Sequence, residues 1–326
     1  MSRRTADFNI ISTQRSGLFG LAILWIMLFH SSLDFGWAPL HLIKATGYCG
    51  VDVFLFLSGI GLYYSMEKNP SPVQFYKKRA LRVLLPYIIV AVLYEGGRCL
   101  TGVITPLEAI ANITFVSYWK NGYAVYWFIA AVLVFYLVYP AVYQIVKARK
   151  IWAELLLLLL SFAAAWLLYQ DQAMFYRING FVFRIPIFLI GCFLAPLVKR
   201  GKEVPAAPAA AVCAGVSLLC WYLWIGCDPW FLRMYLFIPL SICLTFLGGM
   251  VLSLFEKDCL FQRILLFFGG MTLELYLFHE KILGILSKHV FPNWAGTWQV
   301  NALAVGLSIV LAWILCRVCK KIKKEN

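Results

Sequence analysis

The chain is 326 residues long, 62% hydrophobic and 13% charged, with a mean hydropathy of +0.80. That is more apolar surface than a water-soluble domain buries, so a soluble globular fold is excluded and a bilayer must supply the missing apolar solvent. A net charge of +14 would suit a polyanionic partner, but the cations are confined to short segments between long apolar runs. That is the pattern of membrane topology, so membrane lipids and not nucleic acid are the expected surroundings.

A helix needs about 20 mostly apolar residues to cross the hydrocarbon core, and the chain divides into about ten such windows. In order they are Gly17 to Asp34, Gly47 to Met66, Val83 to Gly102, Ala124 to Val146, Ile151 to Gln170, Asn179 to Val198, Pro205 to Ile225, Phe231 to Leu254, Arg263 to Leu286 and Gln299 to Cys319. Arg3 and Arg4 precede an apolar run from Gly17 to Phe35. This run is long for a signal sequence and lacks a small-residue cleavage site, so it is expected to stay as the first span.

Placing residues 1–15 in the cytoplasm also puts Lys77, Lys78, Arg79 and Arg82 inside, followed by Lys147 to Lys150, Lys199 to Lys202, Lys257 with Arg263, and Arg317 with the basic tail 320–326. The positive-inside rule then places both termini in the cytoplasm. Trp37, Trp119, Trp127, Trp230, Trp294 and Trp298 lie beside window ends, where amphipathic rings settle at the headgroups. Cys192, Cys213, Cys220, Cys243 and Cys316 sit inside windows as small hydrophobes, and Cys316 with Cys319 lacks further ligands, so neither a disulfide framework nor a metal site is expected. The expected fold is all-α: a polytopic membrane protein of about ten transmembrane helices, formed by one membrane-embedded domain over 1–326.

Ionisable residues inside a bilayer are costly and usually face a cavity or a partner. Here they are His30, Asp52, Glu95, Arg98, Arg184, Glu274 and His279. In the expected orientation His30, Asp52, Arg184 and His279 fall in the outer half of the membrane, opposite Lys77 to Arg82. From Arg15 to His30 a helix rises about 22 Å, most of the membrane thickness. A substrate that touches both ends is long and thin, with an anionic end, and acyl-coenzyme A has that shape.

Each residue also has a plainer reading. His30 and Asp52 could link helices by hydrogen bonds. Arg79 and Arg82, three apart and on one helical face, could hold phosphates or simply obey the positive-inside rule. Glu95 and Arg98 could neutralise each other. Arg184 could pair with Glu95 or Glu274, and His279 could bond Glu280.

Longer strings carry a resemblance. Gly20-Leu-Ala-Ile-Leu-Trp-Ile-Met-Leu-Phe-His30, Gly50-Val-Asp52-Val-Phe-Leu-Phe-Leu-Ser58-Gly59, Phe75-Tyr-Lys-Lys-Arg79-Ala-Leu-Arg82, Trp127-Phe128, Arg184-Ile-Pro-Ile-Phe-Leu-Ile-Gly191 and Leu275-Tyr-Leu-Phe-His279 follow in order along the chain. Together they resemble acyltransferase family 3, integral membrane acyltransferases that modify extracytoplasmic glycans, lipids and related acceptors. The resemblance implies an O-acyltransferase of the bacterial cytoplasmic membrane. It would move an acyl group, acetyl by expectation, from cytoplasmic acyl-coenzyme A to a hydroxyl of an extracytoplasmic glycan or lipid-linked sugar.

His30 is then the base, with Asp52 and Arg184 supporting the reaction centre. Arg79, Arg82 and Arg15 hold the nucleotide end, and His279, Trp127 and Glu95 face the acceptor. Acetyl-coenzyme A enters as donor substrate, and no permanently bound cofactor is implied. One departure stands out: the family's first helix often has a basic residue where this chain has Phe19, leaving Arg15 one turn lower as the substitute. The alternative reading is a secondary transporter that uses the buried charges as a substrate pathway.

Overall fold

The computed structural model describes residues 5–226, 230–256 and 258–325. Arg3, Arg4 and Lys257, used above to orient the chain, lie outside the described residues. The fold is 85% helical, with one antiparallel pair of short strands, β1 (Thr5–Asp7) and β2 (Glu203–Pro205).

The helices used below are α1 (Arg15–His30), α2 (Cys49–Lys68), α3 (Pro72–Arg79), α4 (Leu85–Leu100), α5 (Trp127–Lys147), α6 (Ile151–Gln170), α7 (Gln172–Val182) and α8 (Ile185–Arg200). They continue with α9 (Ala206–Gly226), α10 (Phe237–Ser253), α11 (Leu260–Gly270), α12 (Thr272–Ile285) and α13 (Trp298–Glu325). Among the described residues eight helical stretches are long and apolar enough to cross a membrane, and α11 with the stretch Thr272–Val290 gives a ninth, bent by 78°. The first expected window is α1, whose 16 residues rise about 24 Å, short of a hydrocarbon core of about 30 Å.

The chain is therefore an all-α polytopic membrane protein, with helices close to the ten expected windows. On α6 the side chains of Leu155, Leu156, Leu159, Leu160, Trp166 and Leu167 are exposed, a surface that only lipid or a partner would cover.

Three departures from the hydropathy windows matter. The third stretch begins at Pro72, and a π-helical turn over Ala80–Leu84 joins α3 to α4. The sixth begins at Gln172 and breaks at Phe183 and Arg184, so Arg184 stands near the middle of Gln172–Arg200 instead of at its start. The ninth breaks at Met271, just after Gly269 and Gly270, which lack side chains to hold the turn. A windowed average registers how apolar a stretch is, and it passes over such breaks.

Contacts group the described chain into two compact units. One comprises Met1–Phe54, Glu203–Ala214 and Ser241–Asn326, the other Leu55–Lys202 and Gly215–Leu240. In the first unit α1 crosses α11 at very close range. A Cβ on Gly20 would lie 2.1 Å from the Leu265 carbonyl oxygen, and one on Gly269 would lie 1.9 Å from that of Ser16. Small residues at helix crossings let backbones meet in lipid, where no hydrophobic force drives helices together. The second unit is built around an aromatic core, with Phe135 stacked on Phe188 at 4.5 Å.

Candidate functional site

In the first unit, α1 is continuous from Arg15 to His30, so these residues occupy opposite ends of one rod. The Arg15 guanidinium lies over the Phe19 ring at 5.1 Å, one turn on, and Phe19 stacks on Phe54 at 5.3 Å. The aromatic ring at the departing position thus supports the neighbouring cation. The helix ends at Ser31, whose backbone turns extended and whose hydroxyl donates to the Leu28 carbonyl at 2.7 Å.

Beyond that end, Asn301 of α13 pins the chain. Its Oδ1 accepts from the Ser32 backbone N–H at 3.1 Å, and its Nδ2 donates to the Ser32 hydroxyl at 2.9 Å and the Thr297 carbonyl at 2.8 Å. Sequence reasoning passed over Asn301. The sign was there: an amide side chain near the start of a mostly apolar window.

His30 meets His279 of α12 edge to face, with ring centroids 5.1 Å apart. His279 is buried, and its Nδ1 lies 3.1 Å from the Leu275 carbonyl and 3.0 Å from that of Tyr276. Carbonyl oxygens only accept, so Nδ1 carries the hydrogen and the neutral ring offers a lone pair at Nε2. That Nε2 is buried without a hydrogen-bond partner among the described residues. The expected alternative bond from His279 to Glu280 is replaced by these carbonyls.

Both rings line a cavity of about 430 Å³ bounded by α1, α12 and α13. Asp52 is buried in the first turn of α2. The start of that helix is held to α1 by Gly50, where a Cβ would come within 2.9 Å of the Ala22 carbonyl oxygen.

The second unit holds the other expected residues. Arg184 is fully buried, with its guanidinium over the Trp127 ring at 5.1 Å, so two residues chosen separately from sequence stand together. Glu95, also fully buried, accepts from Arg98 and Asn112 at 2.9 Å each and from the Tyr123 hydroxyl at 3.3 Å. Its carboxylate is thus engaged by three donors of its own unit, and the pairing with Arg98 is present. Arg79 donates to the Ser65 hydroxyl at 3.0 Å and lies beside the rings of Phe75 and Tyr136, at 5.5 and 5.8 Å.

Arg82 lies within the π-helical turn and is exposed. The wider turn separates the environments of the two arginines that a regular helix would set on one face. Such turns recur at functional sites.

A protein-family model described as an acyltransferase domain matches residues 18–317, nearly the whole chain. No curated protein matches the sequence. No solved structure matches it either.

Proposed function

The chain belongs to the family that this acyltransferase domain defines, and from that premise we propose an O-acyltransferase that uses acyl-coenzyme A as donor and a hydroxyl compound as acceptor. It is a multi-pass membrane acyltransferase; the donor, the acetyl group, the extracytoplasmic acceptor and the bacterial cytoplasmic membrane are the finer reading. The observation that carries it is the pair of imidazoles, His30 and His279, lining one cavity at the far end of the helix that Arg15 begins.

An imidazole titrates near neutrality and so can take and return a proton within one turnover. The acceptor O–H gives its proton to His30 as its oxygen bonds to the thioester carbonyl carbon. The C–S bond then breaks, and the departing thiolate recovers the proton from the imidazolium, leaving an ester and free thiol. Transfer is direct, with no covalent acyl-enzyme. Arg15 at the near end of α1 and, on their chemistry alone, Arg79 and Arg82 are assigned to the donor phosphates. A guanidinium fork suits phosphate oxygens, and the positive-inside rule puts these residues where cytoplasmic donor arrives. Arg184 and Trp127 are assigned to substrate, Arg184 as donor to a developing oxyanion.

The test is acetyl transfer from labelled acetyl-coenzyme A by purified protein in nanodiscs, with a membrane extract as acceptor source. A positioned general base contributes about 10²–10⁴ in rate, so His30→Ala should lower turnover by that factor while the protein still folds and binds donor. Full turnover in His30→Ala removes His30 from the mechanism.

A further inference from the structure

The cavity around the two histidines has an uneven chemistry. Its wall is built from Leu24 and Leu28 of α1, Leu283 of α12, and Trp298, Ala302 and Val305 of α13, among others. The other polar side chains that reach it are already satisfied: Ser31 by the Leu28 carbonyl, Ser308 by that of Ala304, and Asn301 by Ser32 and Thr297. Among the described residues His279 Nε2 has no hydrogen-bond partner and no hydrogen bond engages the His30 ring. A buried polar atom without a hydrogen bond calls for an explanation, and this one belongs to a ring that lines a cavity beside a second imidazole, where a ligand hydroxyl would supply the partner.

The wall also reaches the outside of the helix bundle. Trp298, Ala302 and Val305 are spaced four and three apart, so they form one stripe on α13, and all three are exposed. In a membrane-spanning helix that stripe faces hydrocarbon, so the cavity opens sideways into the bilayer.

These observations define the group that fits. A free glycan carries a hydroxyl on most of its carbons, and each one left unpaired against an apolar wall costs about 1–3 kcal/mol. An apolar body with one hydroxyl at its end meets no such penalty.

Building on the acyltransferase reading above, we propose that this cavity binds the acceptor, and that the acceptor is a lipid alcohol resident in the membrane. Its hydroxyl lies against His30 and His279, and its chain leaves along the α13 stripe between Trp298 and Val305. That hydroxyl oxygen bonds to the thioester carbonyl carbon as its proton passes to His30, and the C–S bond breaks to release the thiolate, which takes the proton back. Before transfer the one hydroxyl hydrogen is shared between His30 and His279 Nε2, which the bonds at Nδ1 fix as an acceptor.

The experiment is photolabelling of the full chain in nanodiscs with a long-chain primary alcohol bearing a diazirine on its chain, without any acyl donor. The expected result is saturable labelling of peptides from α1 and α13, competed by the unlabelled alcohol. Ala302 is exposed, so Ala302→Trp should fold normally while filling the opening and lowering labelling by about tenfold, the effect of a misfitted large side chain; Val305→Trp serves as a second variant. Labelling that does not saturate, or that survives both substitutions, overturns the proposal. So does competition by long-chain acyl-coenzyme A with none by the alcohol, which would make the cavity a site for the donor's chain.

Acetyl transfer to a water-soluble sugar with no labelling would sink the lipid acceptor and leave the acyltransferase reading intact. Saturable labelling in a protein that transfers acyl groups from no coenzyme A donor would uphold the lipid site and sink that reading.

Discussion

Replacing Gly20 by alanine tests whether the crossing of α1 and α11 sets the position of the paired histidines. The added Cβ would stand 2.1 Å from the Leu265 carbonyl oxygen and 2.9 Å from its carbon. A comfortable C···O approach is about 3.3 Å, so the two helices must part by about 1 Å. Overpacking of this kind costs about 1–3 kcal/mol, and each kcal/mol lowers the melting temperature of a sizeable domain by about 2–4 °C.

His30 lies ten residues beyond Gly20, and His279 ten beyond Gly269, so the displacement is carried towards the ring pair and should lower turnover as well. The matched control is Gly306→Ala on α13, where an added Cβ meets nothing within 4 Å. It should be neutral or stabilise by up to about 1 kcal/mol, because glycine is a poor helix former. Thermal unfolding in detergent, followed by tryptophan fluorescence, together with the acetyl-transfer assay, reads both variants. Equal melting and turnover for Gly20→Ala and the wild type, or a larger loss in Gly306→Ala, would refute the argument.

Arg79→Lys loses the planar group that lies beside Phe75 and Tyr136; donor KM should rise about tenfold with kcat little changed, measured by initial rates against acetyl-coenzyme A. Glu95→Ala strips Arg98, Asn112 and Tyr123 of their shared acceptor and should destabilise by about 3 kcal/mol, seen as a fall in melting temperature that Glu95→Gln partly restores. Asn301→Ala frees Ser32 and should cost about 1–2 kcal/mol and lower turnover, whereas Asn301→Asp, which keeps an acceptor for the Ser32 N–H, should retain part of both.

In the loop after His30, the Gly36 N–H and then His41 hold the exposed Asp34 carboxyl below the usual carboxylate range. A depressed folded value favours the folded loop above the ordinary midpoint of about 3.9 and loses that effect as pH falls through the depressed one. Carboxyl NMR should accordingly give Asp34 a midpoint below 3.9, and a midpoint at or above it would contradict the geometry.

Hydropathy located the spans because burial in lipid is a property of whole windows, and α6 matches its expected limits at both ends. The same averaging hid the breaks at Ala80–Leu84, at Arg184 and at Met271, where backbone geometry changes without a change in mean apolarity. The short helix Pro106–Ile113 also fell outside the windows, although its Thr105 and Glu108 form a capping box that local spacing could have revealed. Within the candidate site, Glu95 and Arg98 were legible as a pair because their spacing of three puts them on one helical face. Asn112 and Tyr123 joined them only through tertiary packing. His30 and His279 were each chosen as costly residues in a bilayer, but their contact spans 249 positions of chain and no local pattern announces it.

The ribbon of β1 and β2 has a consequence for topology. Thr5, Ala6 and Asp7 pair residue for residue with Pro205, Val204 and Glu203, so the two strands lie at the same membrane surface. A chain that leaves a surface and returns to it must cross the bilayer an even number of times. Between Asp7 and Glu203 run α1, α2, the α3–α4 stretch, α5, α6 and the α7–α8 stretch, which makes six crossings when α1 is included and an impossible five when it is not. The shortest of these six crossings, the one carrying both Arg15 and His30, is thereby counted as a complete passage from one side to the other.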